Sequence, residues 1–212
     1  MSVVGLALMV MLLGAVRADA TAPGPVLVMG DSLSAGYGID ADAAWPRLLE
    51  ARLREEGYRH SVINASISGE TSAGGARRLP ALLDEHTPAL VIVALGANDG
   101  LRGFDVAEMR RNLAAMLHGA RDAGAGVVLV RMRIPPNYGP RYTAAFESVF
   151  EDVAAASDTV LAPFMLERFA ANREAFQRDG LHPVAAVQDD IVATLWPSIH
   201  AALEAAGETP AP

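Results

Sequence analysis

The apolar run Val26 to Met29 is followed at once by Gly30-Asp31-Ser32-Leu33-Ser34. A turn that glycine permits holds the Ser32 hydroxyl at the end of a strand, where it is a candidate nucleophile. Gly-Asp-Ser is also an ordinary turn sequence, and serines in such turns commonly bond nearby backbone. Near the other end, Asp179-Gly180-Leu181-His182 sets a carboxylate and an imidazole within a single turn of chain. A carboxylate so placed can orient the ring, and a hydroxyl beside that pair gives up its proton and becomes a nucleophile. Taken alone, the pair also fits a surface aspartate and a histidine next to a helix that begins at Pro183.

Acyl transfer needs hydrogen-bond donors aimed at the developing oxyanion. Leu95-Gly96-Ala97-Asn98-Asp99 leaves another apolar run with Asn98, whose side chain carries an N–H, at the expected strand end. The loop Asn64-Ala65-Ser66-Ile67-Ser68-Gly69-Glu70-Thr71 offers Gly69, where a missing Cβ allows a backbone N–H to approach a substrate closely.

Five short apolar runs must position these groups: Val26 to Met29, Ser61 to Ala65, Leu90 to Leu95, Val127 to Arg131 and Thr159 to Pro163. Each is followed by a helical pattern, and strands alternating with helices imply a parallel sheet in one doubly wound α/β domain. Leu90 to Leu95 does not alternate, as expected of a central strand covered on both faces. Val106, Met109, Leu113, Met116, Leu117 and Ala120 recur at helical spacing, with Asp105 and Glu108 placed as a capping box. A last helix is expected from Pro183 through Ile191, Leu195 and Ile199 toward Gly207. In open sheets of this kind ligands bind beyond the carboxyl ends of the strands, where the strand order reverses.

Composition narrows the chemistry. The chain has 212 residues, a net charge of -8 and no basic stripe, which argues against nucleic acid as a partner. It has no lysine, which excludes Schiff-base chemistry and a P-loop lysine, and no cysteine, which excludes thiolate nucleophiles, disulfides and Cys-ligated metals. Val3 to Val16 followed by Ala18-Asp19-Ala20 reads as a signal peptide over residues 1–20, with Thr21 opening the mature chain. The apolar run is shorter than the roughly 20 residues a membrane span needs, so no stable membrane insertion is expected once the leader is removed. The Pro-rich end, residues 208–212, is expected to be disordered. His60, His86, His118 and His200 are assigned surface or capping roles, and Trp45 and Trp196 packing roles.

Serine, glycine, asparagine and histidine, in that serial order at four strand-end segments, make the chain resemble the SGNH (GDSL) hydrolases. Within them it is similar to the bacterial periplasmic thioesterase I, lysophospholipase and arylesterase group. The likeness rests on Gly30-Asp31-Ser32-Leu33-Ser34-Ala35-Gly36-Tyr37-Gly38, on the loop from Asn64 to Thr71, and on Asn98-Asp99-Gly100-Leu101-Arg102-Gly103. Arg78-Leu79-Pro80 and Pro136-Asn137-Tyr138-Gly139 match as well, and the likeness runs from about Val26 to His200.

The resemblance implies a flavodoxin-like sheet ordered 2-1-3-4-5 and a catalytic triad of Ser32, Asp179 and His182. It implies an oxyanion hole of Ser32, Gly69 and Asn98, and substrate binding by Arg133, Ile134 and Pro135. No metal and no cofactor are called for. The expected substrate is a small acyl ester or thioester, cleaved by a monomeric enzyme that works in the periplasm or outside a bacterial cell. Ala97 departs from the family, where a second glycine often precedes the asparagine. Three rival readings are weighed: a carbohydrate O-acetyl esterase of the same family, a noncatalytic secreted binding domain, and a metal phosphatase built on Asp31, Asp99, Asp179 and His182.

Overall fold

The computed structural model describes residues 23–210. The expected leader 1–20, its cleavage site before Thr21 and the last two residues of the tail lie outside that range.

Five strands form one parallel sheet: β1 (Val26–Gly30), β2 (Val62–Asn64), β3 (Leu90–Ala94), β4 (Gly126–Val130) and β5 (Val160–Ala162). Their order is 2-1-3-4-5, as the resemblance implies. Val26 of β1 pairs with Val62 on one side and Leu90 on the other, and Leu90 in turn pairs with Gly126. The chain leaves β1 toward β2 and returns across β1 to β3, so the order reverses between β1 and β3. A crevice therefore opens at the carboxyl ends of those two strands.

The strands read as apolar runs because helices cover both faces. Every residue of β1 and β3 is buried, while the three-residue edge strands β2 and β5 are more open. Full burial of each β3 valine, leucine or isoleucine stabilises the fold by about 1.5–3 kcal/mol. Helices α2 (Trp45–Glu55) and α7 (Gln188–Ala205) lie on one face, and α3 (Ser72–His86), α5 (Val106–Asp122) and α6 (Pro140–Ala156) on the other. Two short helices, α1 (Ser32–Ala35) and α4 (Ala97–Leu101), begin at the carboxyl ends of β1 and β3.

Asp105 caps α5 as the spacing predicts, accepting from the Ala107 N–H at 2.8 Å, while Glu108 closes no reciprocal bond among the described residues. The last helix differs from expectation. It begins at Gln188, preceded by a 3₁₀ turn over Ala185–Val187, and Pro183 instead forms an antiparallel bridge with Phe176. Proline's fixed φ suits a helix start and an extended segment equally. The extended choice is held by the Val184 N–H donating to the Ala175 carbonyl at 2.9 Å.

Trp45 is fully buried, as expected of a packing residue, and Trp196 packs partly buried against the core. His60 is a correction: it is buried, with Nδ1 2.7 Å from the Gly24 carbonyl and Nε2 3.4 Å from Glu208. Glu208 also donates its N–H to the Leu203 carbonyl at 3.0 Å, so the first residue of the expected disordered tail is tied to the domain.

Candidate active site

Sharp local geometry sets the Ser32 side chain at the end of β1. Asp31 is the N-cap of α1, with one carboxylate oxygen accepting from the Leu33 N–H at 3.0 Å, and Gly36 ends the helix in the left-handed region at φ 73°. Ser32 is thus the first helical residue, where the backbone N–H has no partner within the helix.

The loop 177–183, between β5 and α7, brings His182 beside Ser32. His182 Nε2 lies 2.8 Å from Ser32 Oγ, and His182 Nδ1 lies 2.8 Å from an Asp179 carboxylate oxygen. The second Asp179 oxygen accepts from the N–H groups of Leu181 and His182 at 2.9 and 3.1 Å. These donors stabilise the charged carboxylate, first among them the Leu181 N–H and then the His182 side chain, and hold it at about 2. A carboxylate that stays ionised fixes a proton on Nδ1 and leaves Nε2 free to accept one from the serine. Gln177 fastens the loop: its N–H donates to the His182 carbonyl at 2.8 Å and its side chain donates to the Tyr37 carbonyl at 2.7 Å. The Tyr37 ring lies against the imidazole, with centroids 4.4 Å apart and planes tilted by 38°.

Asn98, in the first turn of α4, donates from its side chain to the second oxygen of Asp31 at 3.3 Å. One amide hydrogen is used there and one remains for a ligand. Gly69 sits at φ 79°, a left-handed conformation, and its carbonyl accepts from Arg102 at 3.0 Å. Asp99 joins the two loops: its carboxylate accepts from the Ser72 N–H at 2.9 Å and the Ser72 hydroxyl at 2.5 Å, and all these groups are buried. The carboxylates of Asp31 and Asp99 are therefore each engaged by two protein donors, and among the described residues no three His, Asp or Glu side chains come together as a metal-ligand group.

Asp31 and Asp179 both stand beside His182, yet their environments oppose one another. Asp31 is almost completely buried, and the loss of solvent outweighs its hydrogen bonds and raises it to about 6.

A cavity of about 730 Å³ opens over these groups, lined by Ser32, Gly69, Asn98 and His182 at one end. Arg133, Ile134 and Pro135, expected at the substrate, line it too. Met132, Phe164, Leu166 and Phe176 line it as well. They come from segments without helical or strand periodicity, so nothing in their spacing marks them. Tyr37 falls within the motif Gly30 to Gly38, where nothing in the sequence marks it as a neighbour of the imidazole.

Comparison with known proteins agrees with this architecture. The model of the GDSL-like Lipase/Acylhydrolase family matches residues 28–189. The chain is 51% identical to the esterase TesA of Pseudomonas aeruginosa over 82% of this chain and 87% of that protein. It is 48% identical to an arylesterase of Vibrio mimicus (74% and 79% covered) and 44% identical to thioesterase 1/protease 1/lysophospholipase L1 of Escherichia coli K12 (77% and 77%). Among solved structures, a crystal structure of TesA superposes with a TM-score of 0.82 at 50% identity, covering 84% of this chain and 99% of that one. The psychrotrophic esterase EstA of Pseudoalteromonas, inhibited by monoethylphosphonate, superposes with a TM-score of 0.81 at 41% identity, covering 85% and 99%. The chain belongs to the GDSL-like lipase/acylhydrolase family and is a serine ester hydrolase of the SGNH fold.

Proposed function

We propose that the protein cleaves acyl esters and thioesters through a covalent acyl-enzyme on Ser32. The observation that carries this reading is the continuous relay Ser32 Oγ, His182, Asp179, with both contacts at 2.8 Å. Ser32 Oγ attacks the acyl carbonyl carbon as its proton passes to His182 Nε2. The carbonyl oxygen becomes an oxyanion held by the Ser32 and Gly69 N–H groups and the free amide hydrogen of Asn98. Collapse of this intermediate expels the alcohol or thiol, which takes the proton from His182. Water then attacks the acyl-Ser32 carbonyl with His182 as base, and Ser32 recovers its proton as the acid leaves.

The apolar lining of the cavity, which includes Met132, Ile134, Phe164, Leu166 and Phe176, favours an acyl chain over the acetyl group of a sugar. Relatives named esterase, arylesterase and thioesterase support the same substrate class. The test is turnover of a series of p-nitrophenyl esters and acyl thioesters by the parent and by Ser32→Ala. The parent should hydrolyse both classes and the variant should lose on the order of 10⁴ or more in rate. Undiminished turnover by a folded Ser32→Ala protein would refute the mechanism.

Export is part of the reading, because Ala18-Asp19-Ala20 after an apolar run is a cleavage site for a secreted chain. Mass analysis of the protein recovered outside the cytoplasm should find Thr21 as its first residue. Retention of Met1 or Ser2 on that material would contradict it.

A further inference from the structure

The described residues include five large apolar side chains that remain exposed: Tyr37, Ile67, Phe104, Tyr138 and Leu181, at 37 to 52% of their surface. Scattered singly over a molecule such residues need no explanation. Here they are not scattered. Tyr37 follows β1, Ile67 follows β2, Phe104 follows β3, Tyr138 follows β4 and Leu181 follows β5, so each carboxyl-end loop contributes one. Tyr37 and Leu181 line the cavity themselves, and Ile67, Phe104 and Tyr138 lie within three residues of lining residues Ser68, Leu101 and Pro136.

Their backbones are tied down. Ile67 donates its N–H to the Gly30 carbonyl at 3.1 Å, and the Phe104 carbonyl accepts from the Tyr142 hydroxyl at 2.9 Å. The Tyr138 hydroxyl donates to the Leu101 carbonyl at 2.7 Å, which holds one rim loop to another. An apolar rim held in place around an apolar cavity loses hydration free energy for as long as it faces water.

Charge around the rim differs from the molecule as a whole. The chain carries -8, but on this face Arg102, Arg141 and Arg178 have no carboxylate partner among the described residues, while Arg131 is paired with Glu151 and the acids Asp105 and Asp179 are engaged by the Ala107 N–H and by His182. The acids Glu70 and Glu167 on this side are paired with Arg78 and Arg133. Guanidinium groups beside exposed aromatic and aliphatic side chains match a surface of phosphate groups over hydrocarbon. The overall negative charge opposes accumulation on a strongly anionic surface.

We propose that the carboxyl-end face docks on a zwitterionic phospholipid surface, with Ile67, Phe104, Tyr138, Tyr37 and Leu181 entering the headgroup boundary and the cavity mouth opening into it. An acyl chain then passes from the lipid layer to the cavity without crossing water. The inference rests on the reading of the cavity as an acyl site, but the docking itself can be measured without turnover.

The test uses Ile67→Ser/Phe104→Ser, since neither side chain lines the cavity, together with Ile67→Trp, which adds apolar area at the same point. Partition onto vesicles of a non-hydrolysable diether phosphatidylcholine is measured by sedimentation, alongside turnover of a water-soluble acetate ester. The parent should sediment with the vesicles. The double variant should partition about tenfold less for each side chain removed. Its turnover of the soluble ester should stay within about twofold of the parent's, and Ile67→Trp should partition more strongly than the parent, a gain that loss of folding cannot produce. A parent that stays in the supernatant, or variants that partition equally, would overturn the docking proposal. Failure of the parent to turn over the soluble ester would instead count against the reading of the site.

Discussion

Two aspartates flank His182 in different settings. Asp31 lies at the carboxyl end of β1, almost completely buried and raised to about 6, whereas Asp179 lies in the loop 177–183, with 38% of its side chain exposed, and is held at about 2. Burial and neighbourhood alone would nominate Asp31 as the functional acid. Geometry reverses that choice, because the Asp179 carboxylate contacts the imidazole while Asp31 spends its oxygens on the Leu33 N–H and the Asn98 amide. A perturbed ionisation marks a site, but the hydrogen-bond partner decides what the group does there.

The sharpest way to break this contrast is to neutralise each aspartate in turn. Asp179→Asn should lower kcat on the order of 10⁴ with folding intact, because the amide holds the wrong imidazole tautomer. Asp31→Asn should keep kcat within about tenfold of the parent, since asparagine caps α1 about as well as aspartate. Comparable losses in steady-state turnover by the two variants would erase the distinction.

A smaller effect is expected at Asn98, which serves the Asp31 side of the site. Asn98→Ala should lower kcat by on the order of 10² to 10³ with KM nearly unchanged, because an oxyanion donor acts mainly in the transition state. A folded variant with kcat within a few-fold of the parent, measured on an ester whose acylation is rate-limiting, would show that Asn98 only shapes the turn after β3.

The smallest effect lies in stability. Asp31 is raised from 3.8 to about 6 in the folded protein, so its contribution favours folding below pH 3.8 and is lost as pH rises through 6. Asp31→Asn removes that dependence. Relative to the parent, the variant should gain up to about 3 kcal/mol between pH 4 and pH 8. Denaturant melts of both proteins at the two pH values measure this as a difference, in which pH-independent costs cancel. A constant gap between the proteins would mean that Asp31 titrates normally.

How far the sequence discloses the molecule depends on whether the signal is local. β1 and β3 are legible because strands buried on both faces must be unbroken apolar runs, and α5 because its stripe of Met109, Leu113, Met116 and Leu117 faces the sheet. Ser32 is legible as a candidate because its short motif directly follows the run of β1, and Asp179 and His182 because they stand three residues apart, although their loop lies well beyond the end of β5. The start of α7 is not, since Pro183 suits either conformation and the decision lies with Ala175 and Phe176. His60 reads as a surface or capping residue, but it is buried in contact with Gly24 and Glu208, far away in sequence. The cavity wall of Phe164, Leu166 and Phe176 is hidden for the same reason, and so is the contact of Asp31 with Asn98, 67 residues further along the chain.

The central claim is that the Ser32 hydroxyl, activated by His182 and Asp179, forms the covalent intermediate. Reaction of the parent with a fluorophosphonate, followed by peptide mass mapping, tests it most directly. The account predicts one stoichiometric adduct on Ser32, with labelling slowed by orders of magnitude in His182→Ala. An adduct on another serine, or no adduct on an enzyme that turns over esters, would contradict it.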